Sequence, residues 1–228
     1  MDLLEGSVSE VRLEYGQRLA WVDCQLALIP APGRYVMAWA PEDADAPLAT
    51  ALFAQEISTQ GFLAAPPVPH TWEPGTRLAL RGPSGRCFHV PEMTRRLALV
   101  AMGDTAGRLI PLVVGAVEQN VAVAFFTDLP LPPLPSVVEI SPLHAAPEAL
   151  GWADFLALDL SLEAVSRLQP VLGISTDVRN LPCPSQALVL ADMPCSGLAT
   201  CGACAVSLRR GWKLACQDGP VFETEALL

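Results

Sequence analysis

The stretch "RLALVAMG", Arg96–Gly103, is where the character of the chain changes. Leu97 to Met102 are all apolar, without the polar alternation of a half-exposed strand, so the segment reads as a strand covered on both faces. Comparable runs follow at "VAVAFFTD" (Val121–Asp128), "SVVEIS" (Ser136–Ser141), "DFLALDL" (Asp154–Leu160) and "ALVLAD" (Ala187–Asp192). Buried strands separated by helix-sized intervals indicate a parallel α/β sheet. One interval, "SLEAVSRL", reads as a helix: Ser161 can cap it, Glu163 suits its positive end, and Leu162, Val165 and Leu168 share a face. Between two of the strands, "LPLPPLPS" (Leu129–Ser136) reads as a stiff extended connector.

Upstream, the first 92 residues read as short antiparallel strands separated by Pro/Gly turns at "PAPG", "PPVPH" and "EPG". "RYVMAWA" and "TRLALRG" are strand candidates, and "WVDCQLAL" places Val22, Cys24, Leu26 and Leu28 on one face of an alternating strand. The pattern predicts a small barrel. Three parts follow: a barrel over 1–92, an α/β domain over 93–191, and a C-terminal module over 192–228, too short to build a core without a staple.

A composition of 51% hydrophobic and 17% charged residues argues for a folded chain. No run reaches the ~18 uninterrupted apolar residues of a membrane-spanning helix. The N-terminus lacks the basic and apolar regions of an export signal, so a cytoplasmic location is expected, where thiols stay reduced. A formal charge of −10 opposes binding to a phosphate backbone and excludes nucleic acid as the expected partner.

The staple is legible in "MPCSGLATCGACAV" (Met193–Val206), with three of the chain's seven cysteines, and in Cys216 of "WKLACQDGPVF". The set reads C-x5-C-x2-C-x11-C. Four thiolates serve either a tetrahedral zinc ion or an iron–sulfur cluster. Zinc ribbons pair two short knuckles, and only one exists here. The C-x4-C-x2-C pattern of plant-type [2Fe–2S] proteins differs by one residue. Gly197, Ala199, Gly202, Ala203 and Ala205 are small enough to let the backbone wrap closely around a cluster. Cys24, Cys87 and Cys183 lie outside the set and read as small buried hydrophobes. His70, His89 and His144 are scattered, without metal-site spacing.

"CSGLATCGACAV" and "KLACQDGPVF" resemble the cluster-binding signature of the electron-transfer subunit of class 1B dihydroorotate dehydrogenase, in the ferredoxin-reductase-like superfamily. The resemblance implies a [2Fe–2S] cluster on Cys195, Cys201, Cys204 and Cys216, and a flavoprotein or dehydrogenase catalytic subunit as partner. "APGRYV" is similar to an early Pro-Gly turn of that family. "EPGTRLALRGPSGRCF" is similar to its strand leading into a GPxG turn, here Gly82, Pro83, Ser84 and Gly85, which places Gly82 and Gly85 on the flavin side.

Two stretches depart from the family pattern. Where the family has an arginine-bearing, FAD-binding strand, "PLATALFAQEI" (Pro47–Ile57) has no arginine, and its Thr50 reads as ordinary packing. Where relatives have a glycine-rich turn before Ala-Pro-Leu, "MGDTAGRLIPL" (Met102–Leu112) puts Asp104, whose carboxylate repels a pyrophosphate. Arg108 reads as a solvated helix residue. Weak or absent NAD binding and an altered FAD site are therefore expected.

The "RRG" of "SLRRGWKLAC" predicts a hairpin turn, with Arg209, Arg210 and Lys213 as a local basic patch and Trp212 covering the cluster. The expected function is single-electron transfer between a flavoprotein and another carrier, with no residue acting as acid or base. The alternatives are a non-redox scaffold stapled by a zinc ion on the four cysteines and a complete FAD-dependent NADH oxidoreductase subunit.

Overall fold

The computed structural model describes residues 4–175 and 181–228. Its first sheet is antiparallel and contains β1 (Leu4–Glu14), β2 (Gln17–Asp23), β3 (Tyr35–Trp39), β4 (Thr50–Leu52), β5 (Ala54–Ile57), β6 (Gly61–Ala64) and β7 (Arg77–Ser84). The order is β4-β3-β7-β1-β2-β6-β5. Only Phe53 separates β4 from β5, so one continuous stretch of chain forms both ends of the sheet and closes it into a barrel. Val8, Val22, Val36, Leu52, Phe62, Trp72 and Leu80 fill its interior.

The second sheet has the order β10-β9-β8-β11-β12-β15, from β8 (Arg96–Ala101), β9 (Ala122–Phe126), β10 (Val138–Ser141), β11 (Phe155–Ser161), β12 (Ser185–Leu190) and β15 (Val221–Glu223). All its pairings are parallel except β12–β15, where the end of the chain returns antiparallel to the edge. Each of the five apolar runs read from the sequence supplies one of the parallel strands. Helix α1 (Ile110–Glu118) connects β8 to β9, with Pro111 in its first turn, where a missing N–H costs nothing. Leu109, Ile110, Leu112, Val113 and Ala116 pack it onto the sheet. The remaining strands, β13 (Ala205–Ser207) and β14 (Trp212–Leu214), form the hairpin expected around Arg209–Gly211.

A single apolar core joins the parts. Tyr35, Met37 and Phe53 of the barrel, Leu99 and Phe125 of the second sheet, and Cys204, Val206 and Cys216 near the C-terminus belong to one cluster.

Three local expectations are corrected. β2 ends at Asp23; the Cys24 amide bonds the carbonyl of Gln60, and Gln25 opens a 3-10 turn that buries Leu28 and exposes Leu26. The segment from Ser161 is mainly 3-10 over Leu162–Arg167, with no side-chain capping bond from Ser161. Of the three cysteines read as buried, Cys183 is, Cys24 is half-buried, and Cys87 is exposed.

Candidate functional site

Cys195, Cys201 and Cys204 lie on one irregular loop. Ser196, Gly197, Ala199 and Gly202 all have positive φ, at 55°, 71°, 59° and 73°. Left-handed conformations at Ser196 and Ala199 are costly for residues with a Cβ, and a loop holds them only when the surroundings compensate. Here the repeated reversals turn successive amides inward, making a concave nest of N–H groups suited to negative charge.

Sulfur atoms are what those amides meet. The Ala203 N–H donates to Cys201 Sγ at 3.4 Å. Burial works against the Cys195 thiolate, but N–H groups of Thr200, Cys201 and Leu198 and the Cys201 thiol outweigh it and bring Cys195 down to about 6. Cys216 moves the other way: burial, its bond with the Cys204 thiol, and the charges of Cys204 and Cys195 push it up to about 12, against an opposing Ala199 amide. The Ala215 amide donates to the Cys204 carbonyl at 2.9 Å, which sets the Cys216 segment beside the loop, with Cys204 and Cys216 buried, Cys195 half-buried and Cys201 exposed. Among the described residues, no group of three or more His, Cys, Asp or Glu side chains converges tightly enough to hold a single metal ion.

Cys216 comes from a separate segment, and the barrel fixes it. The Tyr35 hydroxyl, on β3, donates to the Cys216 carbonyl at 2.9 Å. The Arg86 amide donates to the Gly219 carbonyl at 2.6 Å. Gly85 has φ +80°, and a Cβ there would lie 2.6 Å from Pro220 Cδ. The turn of Gly82, Pro83, Ser84 and Gly85 is thus pressed against the loop after Cys216. Burial first, and then the nearby Cys216, Cys204 and Cys195 side chains, raise the Tyr35 phenol above its ordinary value, keeping the hydroxyl protonated as a donor.

A second locality lies where the barrel meets α1. Arg108, read from the sequence as solvated, is fully buried, and the structure corrects that reading. Its Nε donates to Asp159 Oδ2 at 2.9 Å, its Nη2 to Asp159 Oδ1 at 3.1 Å, and its Nη1 to the Pro66 carbonyl at 3.0 Å. Nη2 also pairs with Asp104, and the guanidinium carbon lies 5.9 Å from the centre of the Phe53 ring. Burial disfavours the guanidinium, yet Asp159 and Asp104 hold it firmly charged. Burial lifts Asp159 to about 6, with Arg108 restraining the rise. The Gln17 side-chain amide donates to the Asp104 carbonyl at 2.7 Å, adding another tie from the barrel.

Thr50 is half-buried at the start of β4. Trp212, expected over the cysteines, is 65% exposed, so it does not seal them from solvent. Leu198 of the cysteine loop is 59% exposed, and Arg209, Arg210 and Lys213 are exposed on the hairpin, with Lys213 3.4 Å from Asp218.

Two residues were not singled out by sequence reasoning. Asp159 sits inside an apolar strand, where a carboxylate needs a buried partner; that mismatch was the available signal. Tyr35 stands beside the Pro-Gly turn, but nothing local announces a partner at position 216.

The site residues fit an iron–sulfur group: four soft donors on two adjoining segments, with the Ala203 amide on the Cys201 sulfur. Residues 192–228 match the family model described as the iron–sulfur cluster binding domain of dihydroorotate dehydrogenase B. No curated protein matches the chain. A chain from the structure of an NADH-dependent reduced ferredoxin–NADP oxidoreductase, studied for flavin-based electron bifurcation, superposes with a TM-score of 0.75 at 16% identity, over 99% of this chain and 90% of that one. The ferredoxin reductase of carbazole 1,9a-dioxygenase gives 0.60 at 15% identity, over 77% and 67%. The flavohaem-like FAD/NAD-binding domain of nitric oxide dioxygenase from Vibrio cholerae O1 biovar El Tor gives 0.55 at 13%, over 83% and 99%. The fold is ferredoxin-reductase-like, and its C-terminal segment is similar to the iron–sulfur cluster binding domain of dihydroorotate dehydrogenase B.

Proposed function

We infer that this chain is an electron-transfer iron–sulfur protein in which Cys195, Cys201, Cys204 and Cys216 hold a [2Fe–2S] cluster. A bound cluster of this type supplies a one-electron couple. The observation that carries the reading is a positive-φ cysteine loop with an amide on the Cys201 sulfur, tied at Cys204 to the segment that brings Cys216. A tetrahedral zinc ion asks all four sulfurs to meet at one point. A two-iron group takes them in pairs, two on each iron.

The chain's own residues have three tasks in this reading. The positive-φ loop presents N–H groups that stabilise thiolate charge and tune the potential. Tyr35, Arg86 and Gly85 hold the Cys216 segment in place against the barrel. Trp212, exposed on the hairpin with Arg209, Arg210 and Lys213, offers an apolar contact with a basic rim to a flavoprotein with an acidic docking face.

The flavin and nicotinamide sites are altered. Arg108 is the one cation in the turn before α1, and its donors are engaged by Asp159, Asp104 and Pro66 rather than free for a phosphate. Counting the side chains of that group, two carboxylates against one guanidinium leave a net negative charge. The β4–β5 stretch brings no arginine to replace it.

Anaerobic purification, reduction with dithionite and electron paramagnetic resonance test the reading, alongside titration with FAD and NADH. A brown protein that bleaches on reduction and gives a paramagnetic signal supports it. A colourless protein with one bound zinc contradicts the redox role, and stoichiometric, tightly held FAD contradicts the altered flavin site.

A further inference from the structure

Tyr35 occupies an unusual position relative to the four cysteines. It belongs to the barrel, is completely buried, and reaches the Cys216 carbonyl with its hydroxyl at 2.9 Å. From the other side the cysteine loop closes onto the same oxygen: a Cβ on Gly197 would lie 2.9 Å from the Tyr35 hydroxyl. A Cβ on Gly85 would lie 3.0 Å from its Cε1, and the ring of Phe53 stands 5.9 Å away, tilted by 50°. One phenol is thus wedged between the loop carrying Cys195 and Cys201 and the segment carrying Cys216.

We propose that Tyr35 is a positioning residue that sets the reduction potential of the cluster through the Cys216 carbonyl. The inference rests on the reading that the four cysteines hold an iron–sulfur cluster. A carbonyl oxygen beside these sulfurs places partial negative charge where an added electron must reside. Donation from the phenol draws that charge back and fixes the direction of the carbonyl, in a buried setting where a hydrogen bond is electrostatically stronger than in water. Removing the hydroxyl leaves the acceptor unpaired and more negative, which disfavours the reduced state. The potential falls.

The chain has two tyrosines, and the other, Tyr15, is 66% exposed, which makes the test selective. Anaerobically reconstituted wild type, Y35F and T94V are titrated with dithionite against redox mediators, with the reduced fraction read by paramagnetic resonance. T94V removes another buried hydroxyl, outside the cysteine segment, and controls for general loosening. Y35F is expected to keep iron and sulfide but to show an about tenfold lower reduced-to-oxidised ratio at a fixed poise, about 59 mV for one electron, with altered g-values; T94V stays at the wild-type value. Incorporation of 3-fluorotyrosine in a Y15F background makes Tyr35 a stronger donor and shifts the ratio the other way. Should Y35F fail to fold, that labelled protein decides. Wild-type potentials in Y35F, or no shift with the fluorinated residue, overturn the proposal while leaving the cluster reading intact. Wild-type protein without acid-labile sulfide overturns the cluster reading and this proposal with it.

Discussion

Arg108 and Asp159 meet through two parallel hydrogen bonds, of 2.9 and 3.1 Å, with both side chains entirely buried. The pair joins the start of α1 to β11 and, through Pro66, to the barrel. Breaking a buried ion pair from one side strands a charge in a poorly polarisable interior. R108L is therefore expected to cost about 3–5 kcal/mol of unfolding free energy. Adding D159L removes the stranded carboxylate and should recover most of that loss. Urea unfolding of the single and double variants measures both; equal instability of the two would mean that the charge is not the cause.

The same pair predicts a pH dependence. Asp159 lies at about 6 in the folded protein, above its ordinary 3.8, chiefly through burial. Between those values the native state binds the proton more tightly than the unfolded chain. The stability contributed is complete below pH 3.8 and is lost as pH rises through 6. D159N cannot titrate there. The advantage of wild type over D159N should accordingly be larger at pH 4.5 than at pH 7.5, by about 2 kcal/mol at 1.36 kcal/mol per pH unit. A difference independent of pH would show that Asp159 keeps an ordinary carboxyl.

Gly85 and Gly115 should respond oppositely to alanine. At Gly85, φ is +80° and the new Cβ meets Pro220 Cδ at 2.6 Å and the Gly219 carbonyl at 2.9 Å. G85A is expected to lose about 2–3 kcal/mol and, by displacing the Cys216 segment, to hold less iron. Gly115 sits inside α1 with nothing within 4 Å of its Cβ position, so G115A should gain about 0.5–1 kcal/mol of helix propensity. Thermal denaturation and iron content, measured on both, check the contrast.

Much of the fold was legible because its signals are local. Uninterrupted apolar runs mark strands, and "RLALVAMG" needed no distant information to be read; "SVVEIS", expected to be covered on both faces, is instead the edge strand β10, with Ile140 exposed. The segment after Ser161 misled because its helical spacing holds for only a short stretch, within which the chain winds tightly as 3-10. Arg108 misled for a different reason. Its sequence neighbours suggest an exposed helix start, whereas its environment is made by Asp159, 51 residues away, and by Pro66 across the barrel. The cysteine spacing was visible, but the anchoring of Cys216 was not, since Tyr35 lies 181 positions upstream.

Each cysteine of the set should be individually required. C195S, C201S, C204S and C216S all replace a soft thiolate with a poor ligand for iron, and each should lose most of its visible absorbance and iron. C87S, at an exposed cysteine outside the set, should retain both. Absorption spectra with iron determination distinguish the two groups, and a full complement of iron in any of the four variants would remove that residue from the ligand set.

The central claim is tested most directly by counting iron and acid-labile sulfide in anaerobically reconstituted wild-type protein. About two irons and two sulfides per chain are predicted for a [2Fe–2S] centre on four cysteines. One zinc per chain with no sulfide released on acidification would contradict it.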